Sequence, residues 1–227
     1  MDIRERILYE DEQILVLDKP AGIAVESAKV SEPDLISMLK NAASGTVLSA
    51  AKNAAERTVP DAAFFIVHRL DQVVSGAIVF AKTKKAAAAL SKQLTDGTMK
   101  KIYRAKVCGP IPLDSGELRD FLLKDGKNNV SRVVSPSKQG VYPKGAKEAV
   151  LRYRKVSEDT LEIELMTGRH HQIRAQLAHA GMPIAGDRKY GAPASSAEDL
   201  PGGGIALRAV RLSFRHPGTG EVMTFSV

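Results

Sequence analysis

The sequence predicts an α+β fold, and three observations predict it. Short apolar runs bounded by turn residues outnumber helical patterns. Most neighbouring runs lie close enough along the chain to pair as antiparallel hairpins, and no internal repeat or linker tract interrupts them. A mainly antiparallel sheet with accompanying helices is therefore expected, built as one domain over residues 1–227. Composition agrees: 44% hydrophobic and 26% charged residues are ordinary for a globular chain that buries its own core. No apolar stretch approaches the roughly 20 residues of a bilayer span, and Met1 to Lys19 does not read as a signal peptide, so a cytoplasmic location is expected. The lone Cys108 excludes an internal disulfide and a multi-cysteine zinc site. A net charge of +7 fits a polyanionic partner and, equally, a lysine-rich solvated surface.

Taken in order, Ile7-Leu8-Tyr9 and Ile14-Leu15-Val16-Leu17 predict a hairpin across a charged turn. Lys19-Pro20-Ala21-Gly22 then breaks the strand pattern, because proline has no N–H to give and glycine tolerates positive φ. Lys19 there meets a phosphate or is solvated, solvation being the default. Ser31 as cap, with Pro33 in the first turn, predicts a helix from about Pro33 to Asn41, and Ala42 to Asp61 reads as a mobile surface segment with a weak helix near Ser49 to Glu56. Phe64 to Val67 and Ala77 to Ala81 are buried strands flanking a polar loop. Thr83 caps a helix over Lys84 to Leu94, which Gly97 ends. Along Lys100 to Cys108 alternation puts Tyr103, Ala105 and Val107 on one face. Gly116 to Val134 is basic and amide-rich, either a contact for a nucleic-acid backbone or a solvated hairpin. Two alternating strands, Ala149 to Lys155 and Leu161 to Met166, precede a helix from about His170 to Ala180 with Arg174 at the edge of its apolar stripe. Strands Ile205 to Phe214 and Val222 to Val227 close the chain as a hairpin.

No dinucleotide-binding glycine pattern, phosphate loop or His-Glu-x-x-His is present, and His170 and His171, being adjacent, should diverge on a helix rather than share a metal. The chemistry gathers on the loop His68-Arg69-Leu70-Asp71-Gln72-Val73-Val74-Ser75-Gly76. An aspartate beside arginines keeps its charge at neutral pH, which suits a nucleophile better than a general acid, and carboxylate nucleophiles attack anomeric carbons. A structural Asp71 paired with Arg69 or Arg174 is the alternative, and for an isolated Arg-Leu-Asp it would win.

The pattern is not isolated. His68-Arg69-Leu70-Asp71 followed by Ser75-Gly76 resembles the signature of the RluA-type pseudouridine synthases. The resemblance runs on through Lys19-Pro20-Ala21-Gly22, Lys101-Ile102-Tyr103, Gly168-Arg169-His170-His171-Gln172-Ile173-Arg174, Gly186-Asp187-Arg188-Lys189-Tyr190-Gly191 and Leu207 to Pro217. It implies the pseudouridine synthase catalytic fold, a mainly antiparallel mixed sheet flanked by helices and loops around a central cleft, and isomerisation of uridine in ribosomal or transfer RNA, with the target nucleotide flipped out. By resemblance Asp71 is the nucleophile, attacking ribose C1′ or uracil C6; Tyr103 stacks on the target base; and Arg174 pairs with the Asp71 carboxylate. Arg69 holds the flipped state open and Leu207 lines the pocket, with His68 and Lys19 counted among the substrate-binding residues. An isomerisation needs no metal and no cofactor, and a monomer is the simplest expectation. Gln72, Val74 and Arg208 depart from the family's usual basic residue, threonine and histidine. The chain begins directly with catalytic strands, so an S4-like RNA-binding domain is expected to be absent. RNA selection would then rest on Lys19, Gly116 to Val134 and Arg188-Lys189. Two rivals stay open: a catalytically silent RNA-binding or ribosome-assembly protein of the same fold, and a hydrolase that releases free base.

Overall fold

The computed structural model describes residues 2–27, 32–50, 63–197, 200 and 204–227. The chain divides into two compact units, Met1–Met99 with Arg211–Val227, and Lys100–Val210. The boundary falls without any linker in the sequence, because the C-terminal hairpin returns to the first unit after the second is complete.

In the first unit the hairpin of β1 (Ile7–Glu10) and β2 (Ile14–Lys19) forms as predicted. Asp11 shapes its turn by accepting from the amides of Gln13 and Ile14, each at 2.8 Å. Next comes α1 (Leu35–Ala50), longer than predicted. Its start is capped by Asp34, whose carboxylate takes the Ser37 amide at 2.7 Å and the Ser27 amide at 2.9 Å. The predicted cap Ser31 lies outside the described residues, as do positions 51–61 of the segment read as mobile; residues 42–50 of that segment are helical instead. β3 (Phe65–Ile66) is only two residues long and pairs with β4 (Ser75–Ala81). α2 (Lys84–Thr95) carries the predicted cap, Thr83 Oγ1 accepting from Ala86 N at 3.1 Å, and Gly97 beyond its end has φ +74°.

β2 is buried along nearly its whole length, as an inner strand covered on both faces must be. Its side chains Ile14 and Val16 pack with Val79, Leu90, Leu212 and Phe214 in one core, each large aliphatic group stabilising the fold by roughly 1.5–3 kcal/mol on burial. The antiparallel register runs from Ile14 opposite Ala81 to Lys19 opposite Gly76. The turn that follows β2 is thereby brought against the loop that leads into β4. The closing strands β10 (Leu207–Arg215) and β11 (Val222–Ser226) pair antiparallel, and His216 in their turn donates from Nε2 to Asp11 at 2.8 Å.

The second unit holds β5 (Lys100–Lys106), β6 (Ser115–Asp125), β7 (Val130–Val133), β8 (Lys147–Ser157) and β9 (Thr160–Leu165), in the antiparallel order β5-β9-β8-β6-β7. The basic segment Gly116 to Val134 is thus a hairpin of the sheet. Gly116 is required where it stands: a Cβ there would lie 2.8 Å from the hydroxyl of Tyr153, its neighbour on β8. α3 (Gln172–His179) packs Ala175 on Leu122 of β6 and Ala149 of β8.

Candidate active site

In the first unit, the register just described sets the turn Lys19 to Gly22 beside Asp71. The amide of Gly22 donates to the Gln72 carbonyl at 2.8 Å, and Gln72 Nε2 returns a bond to the Gly22 carbonyl at 3.0 Å. The Val74 amide closes the Asp71 turn onto the Asp71 carbonyl at 3.0 Å. Lys19 is the strut of this arrangement. Fully buried, it donates from Nζ to the carbonyls of Pro20, Ile23 and Gln72 at 2.9, 2.7 and 3.2 Å. Burial pushes its ammonium down to about 8, and the negative charge of Asp71 opposes that shift. The expectation of a solvated or phosphate-binding Lys19 is therefore corrected: with its three N–H bonds on backbone carbonyls and no exposed surface, it braces the loop from within.

Along that loop exposure alternates. Arg69 is exposed, Leu70 buried, Asp71 half-buried and Val74 buried, so the two apolar residues anchor the loop while Arg69 faces outward. His68, counted among the substrate-binding residues, is buried, and its Nε2 accepts from the Val79 amide at 3.3 Å. That bond commits one ring nitrogen to the strand.

The second unit carries the other predicted residues. Tyr103 is buried on β5 opposite Ile163, on the face that alternation gave it, and Leu207 is buried at the start of β10. Arg174 is also buried. Its Nε and Nη2 donate to the two oxygens of Asp187 at 2.7 and 2.9 Å, a bidentate pair with both side chains almost sealed from solvent. The guanidinium carbon lies 4.9 Å from the centroid of the Tyr190 ring. The Tyr190 hydroxyl is held in turn by His171 Nδ1 at 2.9 Å and meets the Ser131 amide at 2.8 Å. Asp187 and Tyr190 thus fix the plane of Arg174. Sequence reasoning missed both: it valued the surrounding motif for its charges Arg188 and Lys189, although an acid and an aromatic three residues apart in a Gly-bounded turn were there to be read.

The helix that carries Arg174 begins later than expected, at Gln172, with His171 in the left-handed region at φ +51°. This overturns the expectation that His170 and His171 diverge. Outside the helix the two rings stack with centroids 3.8 Å apart, and His170 bonds Ser131 Oγ and Asn129 Oδ1 at 2.9 and 3.0 Å. Burial first, then the charges of Arg174, His170 and Lys189, push His171 down to about 3, so it is neutral at physiological pH. Among the described residues no group of three or more metal-ligating side chains is present.

What holds α3 is polar as much as apolar. Gln172 Nε2 bonds the Val150 carbonyl at 3.1 Å, and Gln176 Nε2 bonds Asp120 Oδ2 at 2.7 Å. Anchors one helical turn apart prevent α3 from rotating and so fix Arg174 between them.

A family model described as RNA pseudouridylate synthase matches residues 13–179, a span that takes in Asp71, Tyr103 and Arg174. The chain belongs to that family. It is 36% identical to ribosomal large subunit pseudouridine synthase D of Neisseria meningitidis, over 96% of this chain and 56% of the relative. It is 34% identical to ribosomal large subunit pseudouridine synthase C of Escherichia coli, over 96% of this chain and 64% of that protein. The chain therefore spans between about half and two thirds of the length of these relatives. The solved structure of human RNA pseudouridylate synthase domain containing 1 matches with a TM-score of 0.72 at 21% identity, covering 98% of this chain and 82% of that one. A second human structure, domain containing 4, also matches with 0.72 at 22% identity, over 99% and 88%. The α+β pseudouridine synthase fold is the one expected.

Proposed function

We propose that this protein isomerises uridine to pseudouridine in ribosomal or transfer RNA, with Asp71 as nucleophile. The observation that carries the reading is the family match across residues 13–179 together with an Asp71 loop braced from inside by Lys19. In the reaction the bond from N1 to C1′ breaks and one from C5 to C1′ forms, while C5 gives up a proton and N1 gains one. Atoms and electrons balance without a redox partner. Asp71 attacks the ribose C1′ or the uracil C6, Tyr103 stacks on the flipped base and serves the proton transfer, and Arg174 pairs with the carboxylate and holds it in place. Leu207 gives the pocket an apolar wall, and Arg69, exposed beside the nucleophile, supports the flipped nucleotide against its tendency to restack. In this reading residues 1–227 form one catalytic domain, which works as a monomer in the cytoplasm.

The test uses purified protein and transcribed ribosomal and transfer RNA, with pseudouridine read by chemical mapping. Wild type forms pseudouridine without added metal, and Asp71→Asn has the same far-ultraviolet spectrum but no activity. Normal turnover by Asp71→Asn removes the nucleophile assignment, and release of free uracil would identify a hydrolase.

A further inference from the structure

Most aromatic rings in the chain are absorbed by the core, but two in the second unit are not. Phe121 on β6 and Tyr142 in the connection between β7 and β8 stack with centroids 3.7 Å apart and planes 17° from parallel. Tyr142 keeps 36% of its surface exposed and its neighbour Val141 keeps 65%. The connection that presents them is built by short-range bonds rather than left as a free loop. The Ser137 amide donates to the Val141 carbonyl at 2.8 Å, Gly140 to Ser137 at 2.9 Å and Ala146 to Pro143 at 3.0 Å, while Val134 bonds the Phe121 carbonyl at 2.9 Å.

On the connection itself charge has one sign, the acids Asp120 and Glu148 lying on the strands beside Phe121. Residues 134–147 contain Lys138, Lys144 and Lys147, all exposed, and no acid. Glu148, the first acid beyond them, is taken by Arg119 at 2.7 Å. A solvent-facing aromatic on a segment that carries three exposed lysines matches the chemistry of an unpaired nucleobase between two phosphates. The π-face of the base covers the ring, and the lysines meet the phosphodiesters.

We propose that Phe121 and Tyr142 form a stacking platform for one unpaired base of the RNA, at a subsite separate from the residues assigned to chemistry. The proposal rests on RNA being the substrate but not on Asp71 being the nucleophile. The chain has no tryptophan, so Tyr142→Trp places a sole indole on the platform. Its fluorescence is expected to be quenched on titration with single-stranded oligouridylate and to stay unchanged with a blunt RNA duplex at the same concentration. By anisotropy, Tyr142→Ala should bind the labelled oligouridylate about 5- to 150-fold more weakly, the range of one base–aromatic stack, while Tyr142→Phe binds as wild type. An unquenched indole on bound oligonucleotide overturns the proposal, as does Tyr142→Ala with unchanged affinity. Self-association abolished by Tyr142→Ala, seen in sedimentation without quenching, would assign the patch to a second copy of the chain instead. Quenching needs no turnover, so this result and the activity of Asp71→Asn can fail independently.

Discussion

Lys19 shows how far a residue's chemistry departs from its type once its neighbours are known. Read in sequence, a lysine at the end of a strand beside a proline belongs to solvent; folded, it is sealed in, and three carbonyls replace its water. Its proton is consequently easier to lose in the native chain, at about 8, than in an unfolded chain, where the ordinary value is 10.5. Between those values the unfolded chain binds the extra proton, so stability rises with pH across the window. The gain at Lys19 is on the order of 3 kcal/mol. Urea denaturation at pH 7.5 and 10 should show wild type gaining stability relative to Lys19→Met, in which that increment is gone. An equal pH dependence in both proteins would mean that Lys19 is solvated after all. Asp71 and Arg69, by contrast, could be singled out in the sequence through the motif they share with the family, although the isolated Arg-Leu-Asp favours a structural pair.

At the scale of the element, α3 was legible as a helix but not in its starting point or its grip. The stripe of Ile173 and Leu177 predicts an apolar contact, and these residues are buried. Gln172 and Gln176 are buried with them, their amides matched to strand carbonyls and to Asp120, a pairing that only the sheet's position can supply. Moving the helix start from His170 to Gln172 leaves the two histidines in a turn, where adjacent rings can stack. The partner of Arg174 within its own unit, Asp187, comes from a separate turn. Breaking that buried pair with Asp187→Asn should lower the unfolding free energy by about 3–5 kcal/mol. If Asp187 positions a catalytic Arg174, kcat should fall at a temperature where the variant is fully folded while KM for RNA stays close to wild type. A purely structural role would change the denaturation midpoint alone, and denaturation run alongside single-substrate kinetics separates the two.

For the molecule as a whole, the charge of +7 has a measurable consequence. Lys124, Lys127 and Arg132 lie exposed on the β6–β7 hairpin, and Arg132 is only loosely paired to Asp125 at 3.6 Å. If they contact phosphates, neutralising all three as glutamines should weaken RNA binding and reduce the slope of log affinity against log salt by about 2. An unchanged slope would return the hairpin to the status of a solvated edge. Among the described residues no helix is long and apolar enough to cross a membrane.

The sequence by itself determined the fold class, the position of nearly every strand, the helix cap at Thr83 and the family, because these depend on local periodicity and on short motifs read in order. Only the tertiary structure decided that Lys19 is internal, that Asp187 and Tyr190 clamp Arg174, that His170 and His171 stack, and that Phe121 finds Tyr142. For Lys19, Arg174 and Phe121 a deciding partner is brought in by strand register or by a separate turn, and for the two histidines the start of α3 decides; burial then changes the energy of a charge or a ring, an effect residue type alone does not encode.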